Sequence, residues 1–280
     1  MRLTATGIWR NNGNFINNVI ADARFRPVTL NNALTSQPFT GYYWANQSAS
    51  NESFFIRNTE GFQYLAEGGS VIGTFHPERK YKGLMLVLTN GLKGRLGYQI
   101  SYVLSKAEGN VDNTGFGNWL AGTAFDSPNT AIVNAVGELT NSRRHEFKAY
   151  FTYLVPKVDV MLGGNYTGLS GRPFTPYGQF SNSQLNLPSS SRRQIFLEPR
   201  GSERNDFFHQ VDLRAEKALT IQTHRFGIYA DILNLFNTAT VTTRQARYPN
   251  TTISGNTVAY KAPTVVQGAR QVTFGGRWMF

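Results

Sequence analysis

The stretch that decides the fold lies near the C-terminus, where residues 225–232 read RFGIYADI. Apolar side chains occupy every second position, and charged, small or hydroxyl-bearing residues fill the positions between them. The apolar positions are Phe226, Ile228, Ala230 and Ile232. This period-two alternation is typical of a β-strand with one apolar and one polar face. The sequence therefore predicts a two-faced strand here.

The same alternation recurs along the chain, at residues 96–104, 145–153, 158–166, 210–216 and 272–280. We expect strands of about 9–11 residues, longer than the five or six usual in soluble sheets and long enough to cross a bilayer. A soluble β-sandwich with its polar face in water would show the same alternation. At this point both interpretations remain open.

Composition excludes several classes of protein. The 280 residues are 40% hydrophobic and 13% aromatic, only 16% are charged, and cysteine is absent, which argues against disorder and against disulfide or thiolate-metal frameworks. The longest apolar run, at residues 84–88, is far short of the about 20 residues that a membrane-spanning helix needs. The net charge of +11 comes from scattered residues without a nucleic-acid-binding motif, so we expect no nucleic-acid partner.

Connection lengths favour the membrane interpretation. Tight turns are predicted at residues 11–14, 90–94, 156–157 and 219–223, and long polar stretches at residues 27–79, 106–143, 170–205 and 238–267. Long structureless loops are uncommon in compact soluble domains. Outer-membrane barrels combine short periplasmic turns with long extracellular loops. The pattern therefore predicts a membrane barrel.

The C-terminal segment supports this prediction. Phe274, Trp278 and Phe280 fall on one face of the predicted last strand, in phase with Val272. Aromatic side chains form girdles at both membrane interfaces of outer-membrane barrels. We therefore predict that these three aromatic residues lie on the lipid-facing side and act as a C-terminal assembly signal for the outer-membrane barrel-assembly machinery.

Seven segments, in this order, carry a family resemblance. They are YKGLMLVL (81–88), YQISYVLSK (98–106), RRHEF (143–147), YLVP (153–156), SGRPFT (170–175), DLRAEK (212–217) and DILNLFN (231–237). Together they resemble the C-terminal barrel half of TonB-dependent outer-membrane receptors, closest to the Oar-like group that bears a carboxypeptidase-regulatory-like domain. The resemblance implies an all-β fold: an antiparallel up-and-down transmembrane β-barrel, here the C-terminal portion of a larger barrel of about 22 strands.

The resemblance also implies the partners and the location. Residues 1–280 would be a partial barrel domain in the bacterial outer membrane, touching lipid and lipopolysaccharide, with the signal peptide, plug and earlier strands belonging to the parent protein. TonB-energised uptake would be a property of that parent. Alternation and connections predict about nine membrane strands, the first running in the same direction as the last. An odd antiparallel set cannot close on itself, which independently indicates a fragment.

Two groups of candidate site residues follow. The charged residues Lys148, Asp212, Arg214, Glu216, Arg225 and Asp231 are predicted to face a wet barrel interior. They would contact a plug or line a substrate path, or would simply form solvated cross-strand ion pairs, which is the favoured alternative. The loop residues Tyr42, Tyr43, Trp44, Trp119, Arg192 and Arg193 are candidates for binding an anionic or polymeric ligand. Packing between loops, or contact with lipopolysaccharide phosphates, is the alternative.

Catalysis is not expected. The four histidines lack metal-ligand spacing, and the chain contains neither a phosphate-binding glycine loop nor a nucleophile elbow, so we predict no enzyme activity, metal or cofactor. The sequence favours a receptor that imports or binds a bulky solute. A passive porin or surface adhesin is the first alternative. A soluble carbohydrate-binding β-sandwich is the second, and it requires apolar faces that pack against each other.

Overall fold

The computed structural model describes residues 1–20, 22–45, 51–112, 127–179, 194–222 and 224–279. This part of the chain is all-β, with one four-residue helix. Its elements are, in chain order, β1 (Arg2–Asn12), β2 (Asn14–Ile20), β3 (Arg24–Asn31), β4 (Pro38–Trp44), β5 (Asn51–Arg57), β6 (Phe62–Ala66), β7 (Val71–Phe75), β8 (Arg79–Lys93), β9 (Leu96–Gly109), α1 (Pro128–Ala131), β10 (Gly137–Glu138), β11 (His145–Val155), β12 (Val160–Leu169), β13 (Pro173–Phe174), β14 (Tyr177–Gln179), β15 (Gln194–Phe196), β16 (Glu203–Arg204), β17 (Phe208–Ile221), β18 (His224–Leu233), β19 (Val241–Arg244), β20 (Arg247–Tyr248), β21 (Asn250–Ile253), β22 (Asn256–Ala259), β23 (Pro263–Val266) and β24 (Gln271–Met279).

Eight long strands form one sheet, called here the main sheet. Its neighbour order is β1-β8-β9-β11-β12-β17-β18-β24, and the short β10 pairs with β9 at one end. Every neighbouring pair of long strands is antiparallel, and the spatial order follows the chain order. The predicted up-and-down antiparallel arrangement is therefore confirmed for these strands.

The alternation of short and long connections is also confirmed. Residues 94–95, 156–159 and 222–223 join strands at one end of the main sheet, and residues 13–78, 110–144, 170–207 and 234–270 join them at the other. The long connections are not structureless, because they contain sixteen of the described strands, most of them paired in small separate sheets. We call this second end the loop end.

Within the described residues the main sheet has eight long strands, against the predicted number of about nine, and the difference arises at the first predicted turn. The predicted turn at the Asn-rich segment 11–14 is wrong, because Asn11 and Asn12 continue β1 and pair with Lys80 and Arg79 of β8. The next strand, β2, leaves the main sheet and pairs with β5. Eleven continuous cross-strand partners override the local turn preference. With eight long strands, β1 runs opposite to β24. The argument that an odd number of strands cannot close on itself therefore no longer supports the fragment interpretation.

The main sheet is open. Within the described ranges, β1 pairs only with β8 and β24 only with β18, so each has one free edge. The sheet forms no closed barrel. The described residues thus confirm the all-β, antiparallel part of the predicted fold class. Closure of the sheet into a barrel remains a prediction.

Apolar side chains cover one surface of the main sheet, called here the apolar face, and they are exposed. Along β1, Leu3 and Trp9 are 70% and 74% exposed, whereas Thr4, Thr6 and Ile8 between them are half-buried. Exposed residues at equivalent positions of the other strands are Leu84, Leu86, Leu96, Leu104, Phe147, Phe151, Leu219, Ile228, Val272, Phe274 and Trp278. The described residues therefore contradict the sandwich expectation, in which these faces pack against each other.

The buried apolar core lies at the loop end and not on the main sheet. Its largest members are Phe25, Tyr64 and Phe75, from β3, β6 and β7. Phe25 meets the Tyr64 ring edge-on, with ring centroids 5.8 Å apart. Among the described residues, no helix is long and apolar enough to cross a membrane.

Candidate functional site

The opposite surface of the main sheet, called here the polar face, carries an ionic cluster on β17, β18 and β24. The register places Arg214 directly opposite Asp231, and the two side chains form an ion pair of 3.1 Å. Arg214 also reaches Glu216 at 3.2 Å, and Arg277 of β24 forms an ion pair with the same carboxylate. The structure therefore brings together three predicted residues, Arg214, Glu216 and Asp231, and adds Arg277.

Tyr229 completes this cluster. Its ring lies 3.9 Å beneath the Arg214 guanidinium carbon, a cation–π contact. On the neighbouring strand its register partner is Gly275, and a Cβ there would overlap the Tyr229 ring. Gly275 is thus needed for a close approach, and the cluster is held by an aromatic ring packed over a glycine.

Asp212 has a different role, because it joins the main sheet to the loop end. Its carboxylate accepts hydrogen bonds from Asn165 Nδ2 at 3.2 Å, from Gln210 Nε2 at 2.7 Å and from the backbone N–H of Asn234 at 2.9 Å. It therefore fixes β17 to β12 and to the turn that follows β18. This side chain is occupied by structural bonds.

Asn234 is a structural residue that the sequence analysis missed. Its side chain is buried and donates to the carbonyls of Thr238 and Gly268, while its Oδ1 accepts from the Thr238 N–H. Its φ of 52° lies in the left-handed region, which asparagine tolerates better than most residues. The segment DILNLFN (231–237) does contain a signal for the end of this strand, because an Asn that follows an alternating run commonly terminates a strand.

The remaining polar-face candidates lie apart from the cluster. Lys148 of β11 pairs with Glu146 two residues earlier, at 3.4 Å. Arg225 is exposed near the short-turn end of β18, and no ion pair involving it occurs within the described ranges. The structure therefore does not gather all six predicted residues into one site.

The loop candidates are only partly placed. Tyr43, predicted as a ligand-binding residue, is only 1% exposed and therefore has no surface to offer a ligand; burial raises the pKa of its phenol. Tyr42 is half-buried, packs against the loop core, and exchanges backbone hydrogen bonds with the buried amide of Asn129 at 2.6 and 2.7 Å. Trp44 ends β4. Trp119, Arg192 and Arg193 lie outside the described residues, so ligand binding by these loops stays a prediction.

Buried charges, which the sequence analysis did not single out, tie the long connections together. Glu138 of β10 accepts hydrogen bonds from Ser142 at 2.7 Å and from Arg144 at 2.9 Å, and it pairs with Arg204 of β16. Burial opposes ionisation of this carboxyl, but these hydrogen bonds outweigh it and lower its pKa. Arg200 is also buried and donates to the Ala135 carbonyl at 2.6 Å. Glu138 and Arg200 thus connect the segments before β11 and before β17.

Phe274 and Trp278, two of the three C-terminal aromatic residues, lie on the apolar face, as predicted. Trp278 stacks on Phe226 with ring centroids 6.2 Å apart, and His224 meets its edge at 5.4 Å. Phe280 lies outside the described residues. A role in assembly remains a prediction.

No family model matches the chain, and a search of curated proteins finds no match.

Adjacent glycines of β24 allow a test of the packing at Tyr229. We expect Gly275→Ala to destabilise the protein by about 1–3 kcal/mol, because the new methyl displaces the Tyr229 ring from its position beneath Arg214. Gly276→Ala is the control, since the nearest atom to its Cβ is a carbonyl oxygen at 3.8 Å. Urea unfolding in detergent followed by tryptophan fluorescence measures both. Equal effects would contradict a specific role for Gly275.

Proposed function

We propose that this chain is the C-terminal barrel segment of a TonB-dependent outer-membrane receptor that binds or imports a bulky solute. The observation that carries the proposal is the exposed apolar face of an eight-stranded antiparallel meander. Contiguous apolar patches of this extent are rare on soluble monomers and mark contact with membrane or partner. In the proposal, lipid covers this face and the polar face looks into an aqueous interior.

The connections support the proposed orientation. Two- to four-residue turns at one end suit the periplasmic side, and connections of 35 residues or more at the loop end suit the cell exterior. The loop end also has its own core and buried ion pairs, so its surface is held in shape. A loop surface with a fixed shape suits ligand capture. At the sides of the main sheet, the free edges of β1 and β24 offer pairing positions for further barrel strands.

The polar-face cluster suits the interior of a plugged barrel. Arg214, Glu216, Asp231 and Arg277 satisfy one another across three strands, so the face can stay in contact with water. A plug domain would meet a surface of fixed, alternating charge. In this proposal the charges position the plug and hold the barrel wall, while the loops select the solute.

Cysteine labelling tests which face meets lipid. Because the sequence contains no cysteine, each substitution introduces a single thiol. In cells producing the protein, we expect Leu86→Cys on the apolar face to resist a membrane-impermeant maleimide and to react with a lipid-soluble one. Thr89→Cys on the polar face should react with the impermeant reagent after permeabilisation, and Thr35→Cys in an exposed loop should react in intact cells.

Two results would contradict the proposal. Equal reaction of Leu86→Cys and Thr89→Cys with the impermeant reagent would show that both faces meet water. Ion conductance separates the receptor from a passive porin, because a plugged receptor inserted into a planar bilayer stays closed in potassium chloride. A steady open pore formed by the full-length protein would favour the porin.

A further inference from the structure

A shallow groove opens on the apolar face close to the loop end. It spans β1, β8, β9 and the start of β11, and it has a volume of about 970 Å³, within the ~300–1,000 Å³ typical of small-molecule sites. The side chains that line it include Trp9, Lys82, Leu84, Leu104, Lys106 and His145. It shares no residue with the ionic cluster of the polar face.

The floor of the groove is apolar and unfilled. Leu84 and Leu104 are register partners on β8 and β9, and both are exposed. Gly7 is the partner of Leu84 on β1, and a Cβ placed on it would meet no atom within 4 Å. Trp9 stands two residues further along β1, 74% exposed. The floor can therefore accept a hydrocarbon chain lying along the strands.

The rim of the groove toward the loop end is basic. Lys82 and Lys106 are direct register partners, and like charges in this arrangement destabilise a sheet. Lys106 pairs with Glu108 at 2.5 Å, and Arg144 at the edge is engaged by Glu138 at 2.9 Å. Lys82 is exposed and forms no ion pair within the described part of the chain. Glu108 also interacts electrostatically with Lys82, so this one carboxylate offsets part of the charge of both lysines. An anion in the groove would neutralise the positive charge that remains.

We propose that this groove binds an anionic lipid whose headgroup carries phosphate. The acyl chain lies over Leu84 and Leu104, and the phosphate meets Lys82 and Lys106. Charge at the loop end and hydrocarbon toward the middle of the sheet match the orientation of a lipid in the leaflet at that end. The inference rests on the proposed function in one respect, namely that the apolar face meets the bilayer.

Native mass spectrometry tests the proposal. The protein is purified in dodecyl maltoside and mixed with either dioleoyl phosphatidic acid or dioleoyl phosphatidylcholine. We expect selective retention of phosphatidic acid. Lys82→Ala should lower its affinity about fivefold, since one lysine near an anionic lipid surface is worth about a factor of five. Lys157→Ala, in the short turn at the opposite end, should leave the affinity unchanged.

A second variant tests the floor. Gly7→Phe fills the open space with an apolar ring, so it should block lipid binding while keeping the face apolar. Equal retention of the two lipids, or equal loss in Lys82→Ala and Lys157→Ala, would overturn the proposal, as would displacement of phosphatidic acid by inorganic phosphate. A protein that retains phosphatidic acid in detergent but does not insert into vesicles would contradict the proposed function alone.

Discussion

Replacing Ile228 with arginine is expected to destabilise the membrane-inserted protein by about 2–4 kcal/mol, the cost of a lipid-facing arginine near the bilayer midplane. Ile228 lies in the middle of β18 on the apolar face and is 53% exposed. Its register partners are Gly276 on β24, which has no side chain to cover it, and Lys217 on β17, an exposed cation on the same face. The arginine would therefore face hydrocarbon and would add a second positive charge beside Lys217. Urea and thermal unfolding in detergent micelles and in vesicles measure the change.

The control places arginine on the other face of the same strand pair. Thr273 is the register partner of Asp231, so Thr273→Arg puts the new charge beside a carboxylate on the polar face. We expect this variant to unfold at a urea concentration close to that of the unaltered protein. If Ile228→Arg leaves the midpoint unchanged, or if both variants shift it equally, residue 228 does not face lipid and the membrane assignment is wrong.

The strand content of the main sheet could be predicted from the sequence because period-two alternation is a local signal. Residues 225–232 show both faces within eight positions, and β18 (His224–Leu233) occupies that stretch. The lengths were less predictable. The sequence predicts a turn at residues 90–94, but residues 90–93 belong to β8, where a register irregularity lets the strand continue to Lys93. Cross-strand pairing, which is not local, decides where such a strand ends.

The loop end could not be predicted for the same physical reason. Phe25 and Tyr64 come together from residues 39 positions apart, and Asn129 bonds to Tyr42 across 87 positions. Nothing in the local sequence marks Tyr43 as buried. An aromatic residue in a polar segment is equally consistent with a buried packing residue and with an exposed ligand-binding residue. Alternation places Arg214 and Asp231 of the candidate site on the polar face, but their pairing depends on the register between β17 and β18, and the contribution of Arg277 depends on how β24 is placed beside β18.

Glu138→Ala is expected to loosen the loop end by about 2–3 kcal/mol. The Glu138 side chain is 6% exposed, and its removal leaves Arg144 and Arg204 without their shared carboxylate. Breaking a buried ion pair from one side costs about 3–5 kcal/mol. The cost here is lower because the Arg144 side chain is 54% exposed and can be hydrated. Hydrogen exchange of residues 137–142 and 200–205 measures the change, since these segments are joined through Glu138.

Glu203→Ala is the matched control, because Glu203 belongs to the same region and pairs with Lys261 at 2.7 Å through a half-exposed contact. Such exposed pairs contribute about 0–1 kcal/mol, so its exchange rates should change little. If the two variants accelerate exchange equally, the Glu138 contacts do not hold the connections together.

The pH dependence of the loop end provides an independent test of the same contacts. Because folding lowers the pKa of Glu138, its stabilising contribution is complete above the ordinary value of 4.5. The contribution is lost as the pH falls through the lowered value in the folded protein. Exchange at residues 137–142 should therefore accelerate, beyond its intrinsic pH dependence, only under acidic conditions. Glu138→Gln keeps a hydrogen-bond acceptor for Ser142 but cannot ionise, so it should remove this acid-dependent component. An acid response that survives in Glu138→Gln would have to arise from another carboxylate, and Glu138 would not be the group that links loop stability to pH.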